Sequence, residues 1–252
     1  MALIGGALGY RLLRRISPGG ANESKYCSGE FYQGKSKLGV LFGEAVFDEL
    51  RGKTVLDFGS GGGETCVELA QRGARRVIGV EIQEARLAEA RARAEAAGVA
   101  DRCLFVPSTD EQVDVVLSMD AFEHFDDPAF VLREMRRLLR PDGYALIEFG
   151  STWYHPLGGH TFSVFPWAHL LFSEEALIRW RNDFKDDGAT SFATVAGGLN
   201  QMTIGRWERL VAASPLKFRT YELRPIRRAA PLHNRLTREF LTSAIIARLE
   251  PR

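Results

Sequence analysis

The sequence is poor in the features that mark several protein classes. It has three cysteines in 252 residues, Cys27, Cys66 and Cys103. An odd number with no short spacing excludes a disulfide framework and a thiolate zinc site, and points to a reducing, cytoplasmic setting. No apolar run approaches the roughly 18 residues of a membrane span, so no integral membrane segment is expected. There is no repeat at a solenoid period and no low-complexity tract. The apolar stretch that opens the chain has no basic residue ahead of it, and Arg11, Arg14 and Arg15 come after it. That is the wrong order for a secretory signal, and a helix packed on the domain is expected rather than a membrane-surface anchor. Excess charge is missing too: 33 basic against 32 acidic residues leave +1, which names no partner.

What is present, 45% hydrophobic and 26% charged residues, is ordinary for a globular chain and suits one large domain with an elaboration. The charge is unevenly placed. Residues 201–252 hold 11 Lys/Arg against 4 Asp/Glu, a net +7, while residues 1–200 sum to −6. A basic end hints at anionic contacts, against the plainer reading of a solvated face. Residues 17–35 read as a loop and 36–50 as a helix. Strand and helix signals then alternate, with strands at 54–58, 76–80, 103–106, 113–118 and 144–149. Helices fall at 64–72, 83–97 and 128–139, the last stopped by Pro141-Asp142-Gly143. This predicts a parallel sheet with right-handed crossovers and helices on both faces. Residues 151–215 break the rhythm, with nine aromatics between Trp153 and Phe192 and three of the five histidines. Two more strands are expected at 217–223 and 242–249.

The segment Val55-Leu-Asp-Phe-Gly-Ser-Gly-Gly-Gly-Glu64 is a strand running into a glycine turn and then a helix. Glycine tolerates positive φ and lets backbone approach a ligand closely. Glu81 closes the second strand, 20 residues after Gly61, where an acid can accept from both hydroxyls of a ribose. An adenosine-bearing ligand follows. A dinucleotide fingerprint wants a third glycine where this chain has Glu64, an acid facing the place of a pyrophosphate. A Walker loop is excluded for want of Gly-Lys-Ser/Thr. The pattern acid-x-Gly-x-Gly-x-Gly, which suits the zwitterionic end of S-adenosylmethionine, is filled by Asp57, Gly59, Gly61 and Gly63.

Four blocks carry a wider likeness: VLDFGSGGGETCVELA at 55–70, VIGVEI at 77–82, VDVVLSMDAFEHFDDP at 113–128 and LLRPDGYALIEF at 138–149. In order and spacing they resemble the class I S-adenosylmethionine-dependent methyltransferases, particularly the small-molecule branch with the ubiquinone-type enzymes. The resemblance covers roughly Lys53 to Gly150. It implies an α/β fold: a Rossmann-like, doubly wound seven-stranded sheet with a reversed last strand, which the pair at 217–249 would supply. The family often has an acid, a short helix and a Leu-Pro-Phe-like turn between the third and fourth strands, and here only Pro107–Gln112 intervenes.

The expected organisation is an N-terminal loop and helical segment (1–52), an S-adenosylmethionine-binding core (53–150), an inserted, mainly helical aromatic cap (151–215) and a final strand pair (216–252). Expected cofactor contacts are Asp57, Gly59, Ser60, Gly61, Gly63, Glu81, Ile82 and Met119, with Ser108 or Asp110 meeting the adenine amino group. Ile82 and Val106 would wall the adenine. His124, after the fourth strand, and His155 and His160, after the fifth, are the candidate bases, His160 ranked first because two glycines precede it. Trp153, Tyr154, Phe162 and Trp167 are the candidate substrate walls, and His169 reads as packing. The spacings of the cap histidines match no compact ligand motif, so no metal is expected.

The expected activity is methyl transfer to a largely apolar, aromatic small molecule, with oxygen the favoured acceptor. A non-catalytic S-adenosylmethionine-binding protein stays open, and Glu64 disfavours a nicotinamide-dependent oxidoreductase. A nucleic-acid substrate is not expected, since Glu208, Glu222 and Glu239 interrupt the basic end and no Asn-Pro-Pro-Tyr-type motif is present.

Overall fold

Val55 and Leu56 are adjacent, and both are fully buried. Successive strand residues face opposite sides, so this strand is covered by helices above and below. The computed structural model describes residues 3–18, 34–195 and 197–252. Cys27 and most of the expected 17–35 loop lie outside these.

The strands are β1 (Thr54–Phe58), β2 (Arg76–Val80), β3 (Cys103–Val106), β4 (Val113–Met119), β5 (Leu139–Gly150), β6 (Leu216–Pro225) and β7 (Thr242–Pro251). They form one sheet in the order β3-β2-β1-β4-β5-β7-β6. The pairs from β3 to β5 are parallel, and β7 runs antiparallel to both β5 and β6. The reversed last strand expected from the sequence is therefore present. Strand order turns at β1 and β4, and ligands bind outside the carboxyl ends of strands at such a point.

The helices are α1 (Gly6–Ile16), α2 (Lys37–Phe42), α3 (Ala45–Leu50), α4 (Glu64–Gln71), α5 (Glu84–Ala96), α6 (Pro128–Leu138), α7 (Ala168–Leu171), α8 (Glu174–Arg181), α9 (Ile204–Ala213) and α10 (Arg238–Leu241). On one face, Leu38, Phe47, Val67 and Leu87 from α2 to α5 bury Val55, Val77 and Leu146. On the other, Leu132 and Met135 of α6 and Trp207 and Val211 of α9 bury Leu56, Val116 and Ile147. Pro128 occupies the first turn of α6, and the Asp127 side chain accepts from Phe130 N–H, which fixes where that helix begins.

Three boundaries differ from the sequence expectation. The single helix expected at 36–50 is two, because Gly43 takes φ +86° and ends α2. β5 begins at Leu139, and its register to β4 shifts between Val113 and Val115, so Pro141-Asp142-Gly143 interrupts a strand rather than preceding one. The aromatic unit stops short of residue 215. Its core gathers Phe162, Phe172, Trp180 and Phe192 with Leu13 of α1, whereas α9 belongs to the sheet's core. Alpha1 packs by Gly9, where a Cβ would meet the Ala176 Cβ at 3.0 Å. No helix among the described residues is long and apolar enough to cross a membrane.

Trp207 is fully buried, with ring centroids 4.8 Å from Phe122 and 5.3 Å from Phe149. Trp207→Ala is expected to cost about 3–5 kcal/mol in urea unfolding, as for other large-to-small changes in a core. A loss under about 1 kcal/mol would contradict this packing.

Candidate active site

At the end of β1 the chain must leave the sheet and enter α4 within five residues. Gly59, Gly61 and Gly63 all take positive φ, +86°, +52° and +78°. The N–H groups of Gly59 and Ser60 both donate to Val80 O, at 2.9 and 3.0 Å, which ties the turn to the end of β2. A Cβ at Gly63 would meet the Ala90 Cβ at 2.8 Å, whereas one at Gly61 would meet nothing within 4 Å. Gly63 is thus required by packing, and Gly61 is the residue that leaves space open in the crevice. Glu81 stands beside the turn: one carboxylate oxygen accepts from Gly61 N–H at 3.2 Å and the other from Gln83 N–H at 2.9 Å.

Two cavities open along this edge. The first, about 580 Å³, is lined by the glycine turn with Asp57, Glu64, Met119, Asp120, Lys35 and Lys37. The second, about 510 Å³, is lined by Glu81, Ile82, His124, Phe58, Phe125 and Val195, among others. Gly59 and Asp120 line both, so they flank one crevice at the switch point. Both volumes lie in the range of small-molecule sites, roughly 300–1,000 Å³.

Residues 56–147 match a family described as Methyltransferase domain. Curated relatives include two ubiquinone biosynthesis O-methyltransferases. That of Neisseria meningitidis serogroup C is 34% identical over 52% of this chain and 54% of its own length. That of Pseudomonas paraeruginosa is 37% identical over 54% and 58%. The chain thus spans little more than half the length of these relatives. Among solved structures, an S-adenosylmethionine dependent methyltransferase from Mesorhizobium loti superposes with a TM-score of 0.53 at 16% identity, over 81% of this chain and 93% of that one. The [4+2]-cyclase SpnF superposes with a TM-score of 0.57 at 14% identity, over 100% and 99%. These two show the fold. Residues 56–147 are thus similar to a methyltransferase domain.

Within this crevice the expected cofactor residues divide. Asp57, Gly59, Ser60, Gly61, Glu81, Ile82 and Met119 line one cavity or the other, and Gly63 supports the turn from behind. Ser108 and Asp110 line neither. Asp110 is turned outward to Arg137, at 2.9 Å, with its side chain 96% exposed. Val106 packs with the sheet core. Of the residues expected on the adenine side, Ile82 lines a cavity and Ser108, Asp110 and Val106 do not.

The histidines are reordered. His124 is the one that lines a cavity. Its Nδ1–H donates to Gly198 O at 2.8 Å, because a carbonyl can only accept, so in the neutral ring Nε2 is the acceptor. His160 stands behind it, ring centroids 5.2 Å apart, and burial followed by the nearby His124 lowers its pKa to about 4. His155 is buried, and its Nδ1 accepts from Leu157 N–H at 3.0 Å, which makes it a turn residue. His169 spans Ser163 and the Trp153 carbonyl, a packing role as expected. The four proposed substrate walls line neither cavity. Phe162 is in the core of the aromatic unit and Trp153 packs against it, while Tyr154 and Trp167 are half-exposed on its outside. Aromatics at this density bury one another first. The unit reaches the crevice instead through Ala193, Val195, Gly197 and Gly198.

Sequence reasoning missed a group of acids here. Lys37 Nζ contacts Asp120 Oδ2. Burial, then Asp120, raises the Glu148 pKa, and burial raises that of Glu123 well above the ordinary carboxylate range. One oxygen of each and His160 Nε2 are buried without a partner. The signal was a glutamate inside the apolar run Tyr144–Phe149. Glu123, His124 and His160 place ligand-type atoms within 4.8 Å of one another, a different trio from the cap histidines. A cation there would have to displace the proton that burial holds on Glu123.

Two predictions follow from these residues. Glu81→Ala should weaken S-adenosylmethionine binding by about 1.5–3 kcal/mol in calorimetry, the scale of hydrogen bonds to a charged group; unchanged affinity in a folded variant would contradict the assignment. Asp57 is buried, which raises its pKa to about 7. Its folded form therefore keeps a proton that the unfolded chain has lost. The associated stability is present at low pH and lost as pH rises through about 7. Asp57→Asn should therefore remove on the order of 1 kcal/mol of stability loss between about pH 6 and pH 8.5, read as the difference between the melting shifts of the ligand-free wild type and variant. An unaltered slope would contradict the burial of this acid.

Proposed function

We propose that the protein moves a methyl group from S-adenosylmethionine to the oxygen of a small, largely apolar, aromatic acceptor. The reading is carried by one observation: Glu81, poised beside the glycine turn, and His124, with its Nε2 able to accept a proton, line the same cavity. The likeness of the core to two proteins named ubiquinone biosynthesis O-methyltransferases supports the choice of oxygen.

The residues present fit the cofactor. Glu81 would hold the ribose hydroxyls, and Gly59 to Gly61 would pass close to the amino-acid end. The first cavity carries both signs, Lys35 and Lys37 with Asp57 and Asp120, as a zwitterion requires. When bound, S-adenosylmethionine supplies a methyl carbon activated by a positive sulfonium. What remains for the chain is to orient the acceptor, exclude water and take a proton. Phe58, Val80, Ala121, Phe125 and Val195 give the second cavity the walls for an apolar ring. His124 takes the proton from the acceptor hydroxyl at Nε2, and its Nδ1–H to Gly198 fixes the ring. Neutral His160 behind it adds no charge that would oppose this.

His124→Ala should lower turnover on a phenolic acceptor by at least about a hundredfold while leaving cofactor affinity intact. His155→Ala, at a turn residue, should leave turnover within about threefold, a change worth well under 1 kcal/mol. Near-normal turnover in His124→Ala would contradict the base and shift the acceptor to an amine or an ionised phenol. S-adenosylmethionine binding with no turnover on a broad acceptor panel would favour a non-catalytic binding protein.

A further inference from the structure

The excursion between β6 and β7, residues 226–241, is built inside out. Three of its polar residues, His233, Arg238 and Glu239, hold it down on the protein. The Glu239 carboxylate accepts from Ile204 and Gly205 N–H at the start of α9, at 3.0 and 2.9 Å. Arg238 grips Glu208 with two hydrogen bonds of 2.6 and 2.7 Å. His233 bonds to Thr242 Oγ1 at 2.9 Å, and Ile226 N–H donates to Leu241 O at 2.8 Å. The apolar side chains face away. Leu232 is 66% exposed, Leu236 88% and Phe240 42%. Leucines so presented by an anchored segment are not the scattered exposure of an ordinary surface.

The apolar surface does not end with the excursion. The Phe240 ring lies 5.4 Å from that of Tyr154, whose carbonyl accepts from Trp167 Nε1 at 2.9 Å. Both of these aromatics are themselves partly exposed. Arg235 stands between the leucines, and Arg227 and Arg228 precede them on the same segment, all exposed. None of the three side chains has a hydrogen-bond or ion-pair partner among the described residues. They belong to the basic end that methyl transfer leaves unexplained.

We propose that this surface docks on a bilayer containing anionic lipid, with Leu232, Leu236 and Phe240 entering the headgroup boundary and the three arginines meeting lipid phosphates. Exposed apolar and cationic side chains on one anchored segment suit that interface on both counts: burial of the apolar groups and attraction to the negative surface. Single-stranded nucleic acid would call for aromatic platforms on which bases stack, and the two most exposed residues here are leucines. The inference stands apart from the proposed acceptor and cofactor.

The test is co-sedimentation of the full chain with vesicles of phosphatidylcholine alone and of phosphatidylcholine mixed with phosphatidylglycerol. The wild type should pellet with the mixed vesicles, and less as salt is raised. Two variants, Leu232→Ser/Leu236→Ser and Arg227→Gln/Arg228→Gln/Arg235→Gln, should each lower the partition coefficient at least about tenfold. Both should keep the wild-type melting temperature and S-adenosylmethionine affinity, since neither touches the crevice. The proposal fails if the wild type stays in solution with mixed vesicles, or if both variants pellet as it does. It also fails if the wild type is a dimer that the leucine variant makes monomeric while vesicles capture neither.

Discussion

The turn between β1 and α4 is the constraint on which the crevice depends. Gly59 and Ser60 share a single acceptor, the carbonyl of Val80, so the chain leaves β1 bound to the end of its neighbour. That geometry demands positive φ at Gly59, and it brings the missing Cβ of Gly59 within 3.0 Å of the Ala121 Cβ. The turn therefore fixes two further things. It holds Glu81, one residue beyond Val80, against Gly61, and it lets the segment after β4 close over the turn. A side chain at Gly59 would push Ala121 away and, with it, the start of the segment that carries Glu123 and His124.

Several local rules of folding are broken beside the crevice. Asp120 and His160 hold positive φ without being glycine, and Glu123, Glu148 and His160 each bury a polar atom without a partner. Each feature costs stability on its own. They persist because the sheet on one side and the aromatic unit on the other fix the backbone around them. Unsatisfied groups beside the residues that line the crevice are what a site shaped for a ligand rather than for stability would carry. The same burial keeps His155, His160 and His169 neutral, so no neighbouring histidine adds positive charge beside the proposed base, His124.

The core was legible because its signals are local. Val55 and Leu56 mark a strand buried on both faces, Gly59 to Gly63 mark the turn, and Glu81 falls one residue after an apolar run. Beta1, β2 and β3 match their expected limits for that reason. The crevice beyond the cofactor turn was far less legible, because distant segments meet there. Lys37 reaches Asp120 across 83 positions, and His124 reaches Gly198 across 74. No spacing rule exposes such pairs. Aromatic density between Trp153 and Phe192 indicated a packed unit, but not which residues would turn outward. The residues it presents to the crevice, Ala193 to Gly198, are small and carried no signal.

The central claim is that the turn and Glu81 select S-adenosylmethionine over a dinucleotide. Glu64 lines the first cavity and pairs with Arg93 at 2.6 Å, where a pyrophosphate would meet a carboxylate. Calorimetric titration of the same protein with S-adenosylmethionine and with NAD is the direct measurement. The account predicts saturable binding of S-adenosylmethionine and no heat of binding from NAD. Binding of NAD with S-adenosylmethionine inert would contradict it.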